Sequence, residues 1–274
     1  MAIASDRVRV SGIERLCLVS ADAARLALFY ENAFGARVLT RTPDSGASTS
    51  ILLALGAQRV ELLGLDVRGR FYPADSDASD IAFQHFAIVV SDIDAAYRQL
   101  RTIPGWKPIS RDGPQRLPAR SGGVSAYKFR DPDGHPLELL EFPADDIPDR
   151  WPFAPASNGV LGIDHTAISV ADTDRSIAFY EPLGLRVTAR SINVGPEQDR
   201  LDGLDGVAVE VTAMSADDAT PHVELLCYRG WHVHSIVGVS DIAATRIVFR
   251  SHGSRGEHLV DPDGHRLIVI ADDT

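Results

Sequence analysis

The sequence predicts an α+β fold built from four βαβββ modules, and three observations carry that prediction. An opening recurs four times, at Gly12–Asp22, Ala82–Asp92, Gly162–Asp172 and Trp231–Asp241, each an apolar run closed by Ser-Asp or Ala-Asp. A close recurs as well. Asp131–His135 and Asp261–His265 both read Asp-Pro-Asp-Gly-His, while Val60–Leu63 and Val223–Leu226 both read Val-Glu-Leu-Leu. Between openings one and three and their closes, Phe29-Tyr30-Glu31 recurs as Phe179-Tyr180-Glu181. Repetition on this scale marks a stacked supersecondary unit.

Each element has a local reason. The apolar openings read as buried strands, and the aspartate ending each one is a helix N-cap, because its carboxylate accepts free N–H groups of the first turn. The helices are expected over Ala23–Phe34, Ile93–Arg101 and Thr173–Pro182, with a short one near Ile242–Ser251. The recurring aromatics are core anchors. Three strands follow each helix, and the Pro-Asp-Gly of the second and fourth modules makes a tight turn, Pro fixing φ and Gly accepting a positive one. Modules one and three match best, as do two and four, so a pair has been duplicated. Pro143–Gly159 holds four prolines and little periodicity. Two domains are therefore expected, 1–145 and 158–274, joined by a linker over 146–157.

Composition narrows the partners. The 274 residues include 27 Lys+Arg against 38 Asp+Glu, a net charge of −11, with 45% apolar and 24% charged residues. Such usage excludes wholesale disorder. The acid excess speaks against nucleic acid and against anionic membrane surfaces, both of which need clustered Lys and Arg. Met1–Val10 has no apolar core of a secretory signal, and no apolar run approaches the ~20 residues that span a bilayer. A cytoplasmic protein is expected, with Cys17 and Cys227 as buried reduced thiols.

Seven residues before each capping aspartate stand Arg15, His85, His165 and His234. The closing strands place Glu61, Glu138 and Glu224 at equivalent positions, with Ile268 where the fourth carboxylate would be. A carboxylate inside an apolar strand is costly to bury unless it is paired or binds a metal. Three histidines at one repeat-equivalent site are more than scattered core histidines would give, and three carboxylates at equivalent positions are not an accident of composition.

The fourfold βαβββ pattern, the strand histidines and the Asp-Pro-Asp-Gly-x-x-Leu-Glu close resemble the vicinal oxygen chelate superfamily. That group includes glyoxalase I, extradiol dioxygenases and bleomycin-resistance proteins, and the resemblance runs from about Gly12 to Ala271. It implies a glyoxalase-like fold, in which paired modules form two cupped mixed sheets and first and last strands direct ligands at one divalent metal. Taken half by half, the C-terminal domain would hold the metal with His165, Glu224 and His234. The N-terminal domain would keep a secondary site of Arg15, Glu61, His85 and Glu138, degenerate because Arg15 stands where a ligand should be. There Arg15 would pair with Glu61 or Glu138, or hold a substrate carboxylate.

A two-histidine, one-carboxylate set with open positions suits non-heme Fe(II). The expected function is therefore a metal-dependent, dioxygenase-like oxidoreductase acting on adjacent oxygens of a small molecule, with Fe(II) favoured. Two other readings stand beside it: a glyoxalase-like lyase or isomerase using Ni(II), Mn(II), Co(II) or Zn(II) without O₂, and a drug-binding protein without catalysis. Oligomeric state is open, a homodimer included.

Strand alternation puts His222 on the face of Glu224, as a candidate acid or base, and Tyr228 beyond it as a donor to a substrate oxygen. His232 competes with His234. His135 and His265 follow tight turns and should be solvent-exposed or packed on the turn. The loop 107–123 carries Lys107, Arg111, Arg116 and Arg120 against Asp112, a local excess that would steer an anion or remain solvated. The segment Ser191–Asp202 is a candidate lid.

Overall fold

The computed structural model describes residues 8–42, 48–67, 69–151, 159–230, 236–252 and 256–272. Module one contains β1 (Val10–Ser20), α1 (Ala23–Phe34), β2 (Arg37–Arg41), β3 (Ser48–Leu55) and β4 (Gln58–Leu65). Module two contains β5 (Gln84–Val90), α2 (Ile93–Leu100), β6 (Lys107–Pro108), β7 (Gln115–Arg116), β8 (Ser125–Arg130) and β9 (Pro136–Glu141). Module three contains β10 (Val160–Ser169), α3 (Thr173–Tyr180), β11 (Arg186–Val194), α4 (Pro196–Asp202), β12 (Ala208–Ser215) and β13 (His222–Tyr228). Module four contributes β14 (Arg246–Ser251), β15 (Glu257–Val260) and β16 (Arg266–Ala271).

Three capping aspartates act as expected. Asp22, Asp92 and Asp172 accept from the backbone N–H groups of Arg25, Ala95 and Arg175 at 3.0, 2.8 and 2.9 Å. The fourth does not. Asp241 spends its carboxylate on the N–H groups of Arg70 and Gly238, at 2.7 and 2.8 Å, and on the Arg70 guanidinium. The helix expected over Ile242–Ser251 is absent, and the strand β14 occupies Arg246–Ser251. Its buried Ile247 and Phe249 alternate with residues of the other face, a period of two that no helix satisfies.

The strands form two mixed sheets. One runs β15-β16-β14-β1-β4-β3-β2 and the other β11-β12-β13-β10-β5-β9-β8-β6, with β7 on β8. Module one therefore shares a sheet with module four, and module two with module three. This corrects the expectation that consecutive modules of one half pair with each other. The junctions are antiparallel, β1 to β14 and β5 to β10. Each opening strand has one free edge, and the repeat leaves open which other opening strand meets it.

One apolar core lies between the sheets. It takes Leu16, Leu62 and Ile247 from the first, Phe86, Leu139 and Leu225 from the second, and Tyr30, Leu100 and Tyr180 from α1, α2 and α3. Because strand side chains alternate, Arg15, Glu61, His85, Glu138, His165 and Glu224 lie on the faces turned away from that core. Among the described residues, no helix is long and apolar enough to cross a membrane. Cys17 and Cys227 are unbridged, as expected, and burial pushes the Cys17 thiol up to about 11.

The two sheets are locked by the Asp-Pro-Asp-Gly-His turns. Asp131 Oδ1 accepts three backbone N–H groups of its own turn, while Oδ2 accepts from Tyr30 Oη at 3.1 Å and His135 Nδ1 at 2.9 Å. His135 Nε2 reaches the Val19 carbonyl of β1 at 3.0 Å. The same arrangement recurs at the other end, where Tyr180 bonds Asp261 and His265 Nε2 reaches the Ser169 carbonyl at 2.8 Å. Both histidines are buried turn anchors. The tyrosines of the repeated Phe-Tyr-Glu thus serve as core anchors with a polar end.

Both nitrogens of His135 face acceptors, so the ring carries two protons. Burial alone would depress its pKa, but the Asp131 and Asp133 charges outweigh burial and raise it. A raised folded-state pKa contributes stability that is complete below about pH 6.5 and is lost as pH climbs through the raised value. Asp131→Ala should cost about 3–5 kcal/mol, the range for breaking a buried pair, and should remove this pH-dependent contribution. Urea unfolding at pH 6 and pH 8.5 measures both effects; a cost within about 0.5 kcal/mol of zero would show that the turn is not the lock.

Candidate functional site

The nine-stranded sheet curves around a cavity of about 360 Å³. Four strands bring His85 (β5), Glu138 (β9), His165 (β10) and Glu224 (β13) to its lining. His85 Nε2 approaches Glu138 Oε2 at 2.8 Å, and His165 Nε2 approaches Glu224 Oε2 at 3.5 Å. The two imidazole rings stand 5.7 Å apart, edge to face. Ligand atoms of His85, Glu138 and His165 all lie within 4.8 Å of one another.

This assembly regroups the residues expected from sequence. His85 and Glu138 sit with His165 and Glu224, because the sheet joins module two to module three. Arg15 and Glu61 lie on the other sheet, paired at 2.7 Å. The Arg15–Glu61 contact is one of the two anticipated; Glu138 is not its partner. His234 and His232 lie outside the described residues. In the seven-stranded sheet Arg246 holds the register position that His85 holds in the nine-stranded one, since Cys17 faces Arg246 as Ala167 faces His85.

The donor set fits a divalent ion. Among the described residues, both His85 nitrogens and His165 Nε2 are buried without a hydrogen-bond partner, which costs free energy unless something satisfies them. The close His85–Glu138 approach lacks hydrogen-bond alignment. Asp164 supplies the orientation of His165. Its Oδ2 lies 3.2 Å from His165 Nδ1, and its Oδ1 accepts from Arg150 at 2.9 Å and Trp151 Nε1 at 3.3 Å. A proton on Nδ1, held by a carboxylate, makes Nε2 the nitrogen that would ligate once an ion takes the place of its proton. Asp164, His165 and His222 also form a compact group, but both Asp164 oxygens are already engaged.

Electrostatics separates the two histidines. Burial disfavours an imidazolium at His165, yet Glu224, Asp164 and Glu138 together raise it to about 9. His85 goes the other way, lowered by burial and by the charges of Lys128 and His165 against the pull of Glu138. Glu224 would be raised by burial but is held down to about 2 by His165 and His222. Asp164, also opposed by burial, is held far below the usual carboxylate range by His165, His222 and Arg150.

His222 is on the expected face, its Nε2 3.5 Å from Glu224 Oε1. Tyr228 lines the cavity with its hydroxyl buried and, among the described residues, without an aligned hydrogen-bond partner. Sequence reasoning missed Asp164, although it directly precedes His165. It also missed Lys128, which is buried on β8 opposite Glu138 and bonds Asp202 of α4 at 2.7 Å. Gln198 holds the other Asp202 oxygen, also at 2.7 Å. An isolated lysine in an apolar strand is the only signal that could have marked that pair.

The expected lid and basic loop meet over this cup. Gln198 and Leu201 of α4 form part of the wall, and Arg120 and Arg190 line the cavity as well. The loop is tied down, not merely solvated: Arg111 bonds Asp205 and Arg120 donates to the Val194 carbonyl at 3.0 Å.

A family model described as the Glyoxalase/Bleomycin resistance protein/Dioxygenase superfamily matches residues 12–139 and 162–272, and a second model of that description matches 84–202. Glyoxalase I from Zea mays superposes with a TM-score of 0.63 at 19% identity, over 95% of this chain and 92% of that one. A proposed dioxygenase from Bacillus subtilis subsp. subtilis str. 168 superposes with a TM-score of 0.57 at 13% identity, over 97% and 87%. These likenesses establish a shared fold. No curated protein matches the sequence.

Proposed function

The chain belongs to the Glyoxalase/Bleomycin resistance protein/Dioxygenase superfamily, and from that premise we propose a divalent-metal lyase or isomerase acting on adjacent oxygens of a small molecule. One observation carries the reading: two imidazoles and two carboxylates, His85, His165, Glu138 and Glu224, converge in one cup. The oxygenase reading rested on three protein ligands. Glu224, whose Oε2 lies 3.5 Å from His165 Nε2 at the same cavity, would add a fourth and so take a position that O₂ would need beside a chelating substrate. A pure binding protein has no use for four converging donors.

The bound ion would supply Lewis-acid stabilisation of negative charge developing on the substrate oxygens. The side chains do the rest. Asp164 keeps His165 in the ligating tautomer, with Arg150 and Trp151 fixing Asp164 in turn. Glu224 turns Oε2 toward the donor cluster and Oε1 toward His222, so the carboxylate that would help hold the ion has a second oxygen to accept a substrate proton, His222 relaying it. Tyr228 offers its hydroxyl to a substrate oxygen. Apolar walls, Leu140, Leu201, Val209 and Leu226 among them, keep water from the reacting carbon.

The protein loaded in turn with Ni(II), Co(II), Mn(II), Zn(II) or Fe(II) is expected to turn over an α-oxo or α-hydroxy carbonyl compound under strict anaerobiosis. The methylglyoxal–glutathione adduct is the first to assay. Oxygen uptake coupled to catechol ring cleavage, or stoichiometric binding without turnover of any such compound, would overturn the proposal.

A further inference from the structure

The outward face of the seven-stranded sheet maps residue by residue onto the metal-binding cup. Cys17 pairs with Glu61 as Ala167 pairs with Glu224, so Glu61 matches Glu224 and Arg15 matches His165. Across the junction Arg246 matches His85. Val248 pairs with Ile268 as Ala87 pairs with Glu138, so Ile268 matches Glu138. Arg266 then stands directly beside Arg246, in register on the neighbouring strand. Where one face gathers two imidazoles and two carboxylates, the other gathers three guanidiniums and one carboxylate. The polarity of the position is reversed.

All four of those residues are half-buried. Glu61 is already satisfied, by Arg15 Nε at 2.7 Å and by Ser50 Oγ at 2.6 Å on its other oxygen. Arg246 donates to the Ala244 and Val239 carbonyls at 3.2 and 2.8 Å, and Arg266 to the Val237 carbonyl at 3.1 Å. Carbonyls accept these hydrogen bonds but bring no charge. Among the described residues, Arg266 Nε is buried with no hydrogen-bond partner. The other nearby carboxylate, Asp241, is held by Arg70 and by two backbone N–H groups. Burial and the adjacent Arg246 charge depress the Arg266 guanidinium. Two like charges side by side, partly out of water, call for an anion.

We propose that this face binds a small oxyanion of the carboxylate or phosphate class, gripped by Arg246 and Arg266 with Arg15 beside them. Guanidinium forks match the paired oxygens of either group. The site is separate from the metal cup and stands whether or not the proposed reaction does.

Calorimetric titration of the full chain with inorganic phosphate, and separately with malonate, tests this. Saturable binding of at least one is expected, and the tighter of the two names the class. Arg246→Gln with Arg266→Gln should weaken it at least about tenfold, the loss of one charge-assisted fork. Arg190→Gln, at the other cup, should leave it unchanged. Should the double glutamine variant not fold, Arg246→Lys with Arg266→Lys keeps the charge without the fork and should still bind more weakly than the parent. No saturable heat with either anion, binding unaffected by these variants, or binding lost in Arg190→Gln would each overturn the proposal.

Discussion

His85→Ala and His165→Ala are each expected to lose the bound divalent ion, with metal affinity falling by more than about 100-fold. That bound follows because replacing an outer partner of a metal ligand already costs 10–100-fold, and these imidazoles stand at the centre of the donor cluster. Asp164→Asn should show the smaller outer-partner loss, since Asp164 orients His165 Nδ1 from 3.2 Å and leaves the ligating nitrogen in place. Arg15→Ala should leave metal content unchanged, because Arg15 lies on the other sheet against Glu61. Elemental analysis after dialysis against a weak chelator reads all four variants, and circular dichroism checks that the strands persist. A His85→Ala protein that keeps its ion would place the metal elsewhere.

That ranking differs from the one a half-by-half reading of the sequence suggests, and the difference is instructive. The seven-residue spacing before each capping aspartate picks out His85 and His165, which the fold brings to one cavity lining, because a strand entering a capped helix has a fixed geometry. Glu138 and Glu224 are equally legible as charges in apolar strands. Their meeting is not legible. It depends on β5 pairing with β10 along their free edges, and edge pairing leaves no mark on either strand's own pattern. Module four misleads for another reason: its opening motif resembles the others, yet Asp241 is occupied by Arg70, and the strand beside β1 begins only at Arg246. Three helices and their caps are predictable because capping is local. Lys128 and Asp202 are not, since a buried ion pair joining β8 to α4 depends on which module covers the cup.

The mapping between the sheets makes a second metal site buildable, and its design shows what sheet pairing adds. Arg15→His alone should bind no further ion: it leaves Arg246 and Arg266 as two cations beside one carboxylate. The register asks for Arg15→His and Arg246→His to supply imidazoles, and Ile268→Glu to supply the carboxylate opposite Val248, with Glu61 already in place. Arg266→Gln removes the remaining adjacent cation, whose repulsion would otherwise oppose a dication at close range. The four changes together are expected to raise metal content by about one ion per chain, since two imidazoles and two carboxylates then meet in a donor set matching the native cup. They should also abolish the anion binding proposed for this face, as its guanidiniums are gone. The core behind the sheet is untouched, because all four positions alternate with the buried Leu16, Ile247, Leu267 and Val269. Metal-to-protein ratios in the parent, in Arg15→His and in the combined variant decide the matter. A single substitution that sufficed, or a combined variant with no added ion, would mean that the two faces are not equivalent in the way the register implies.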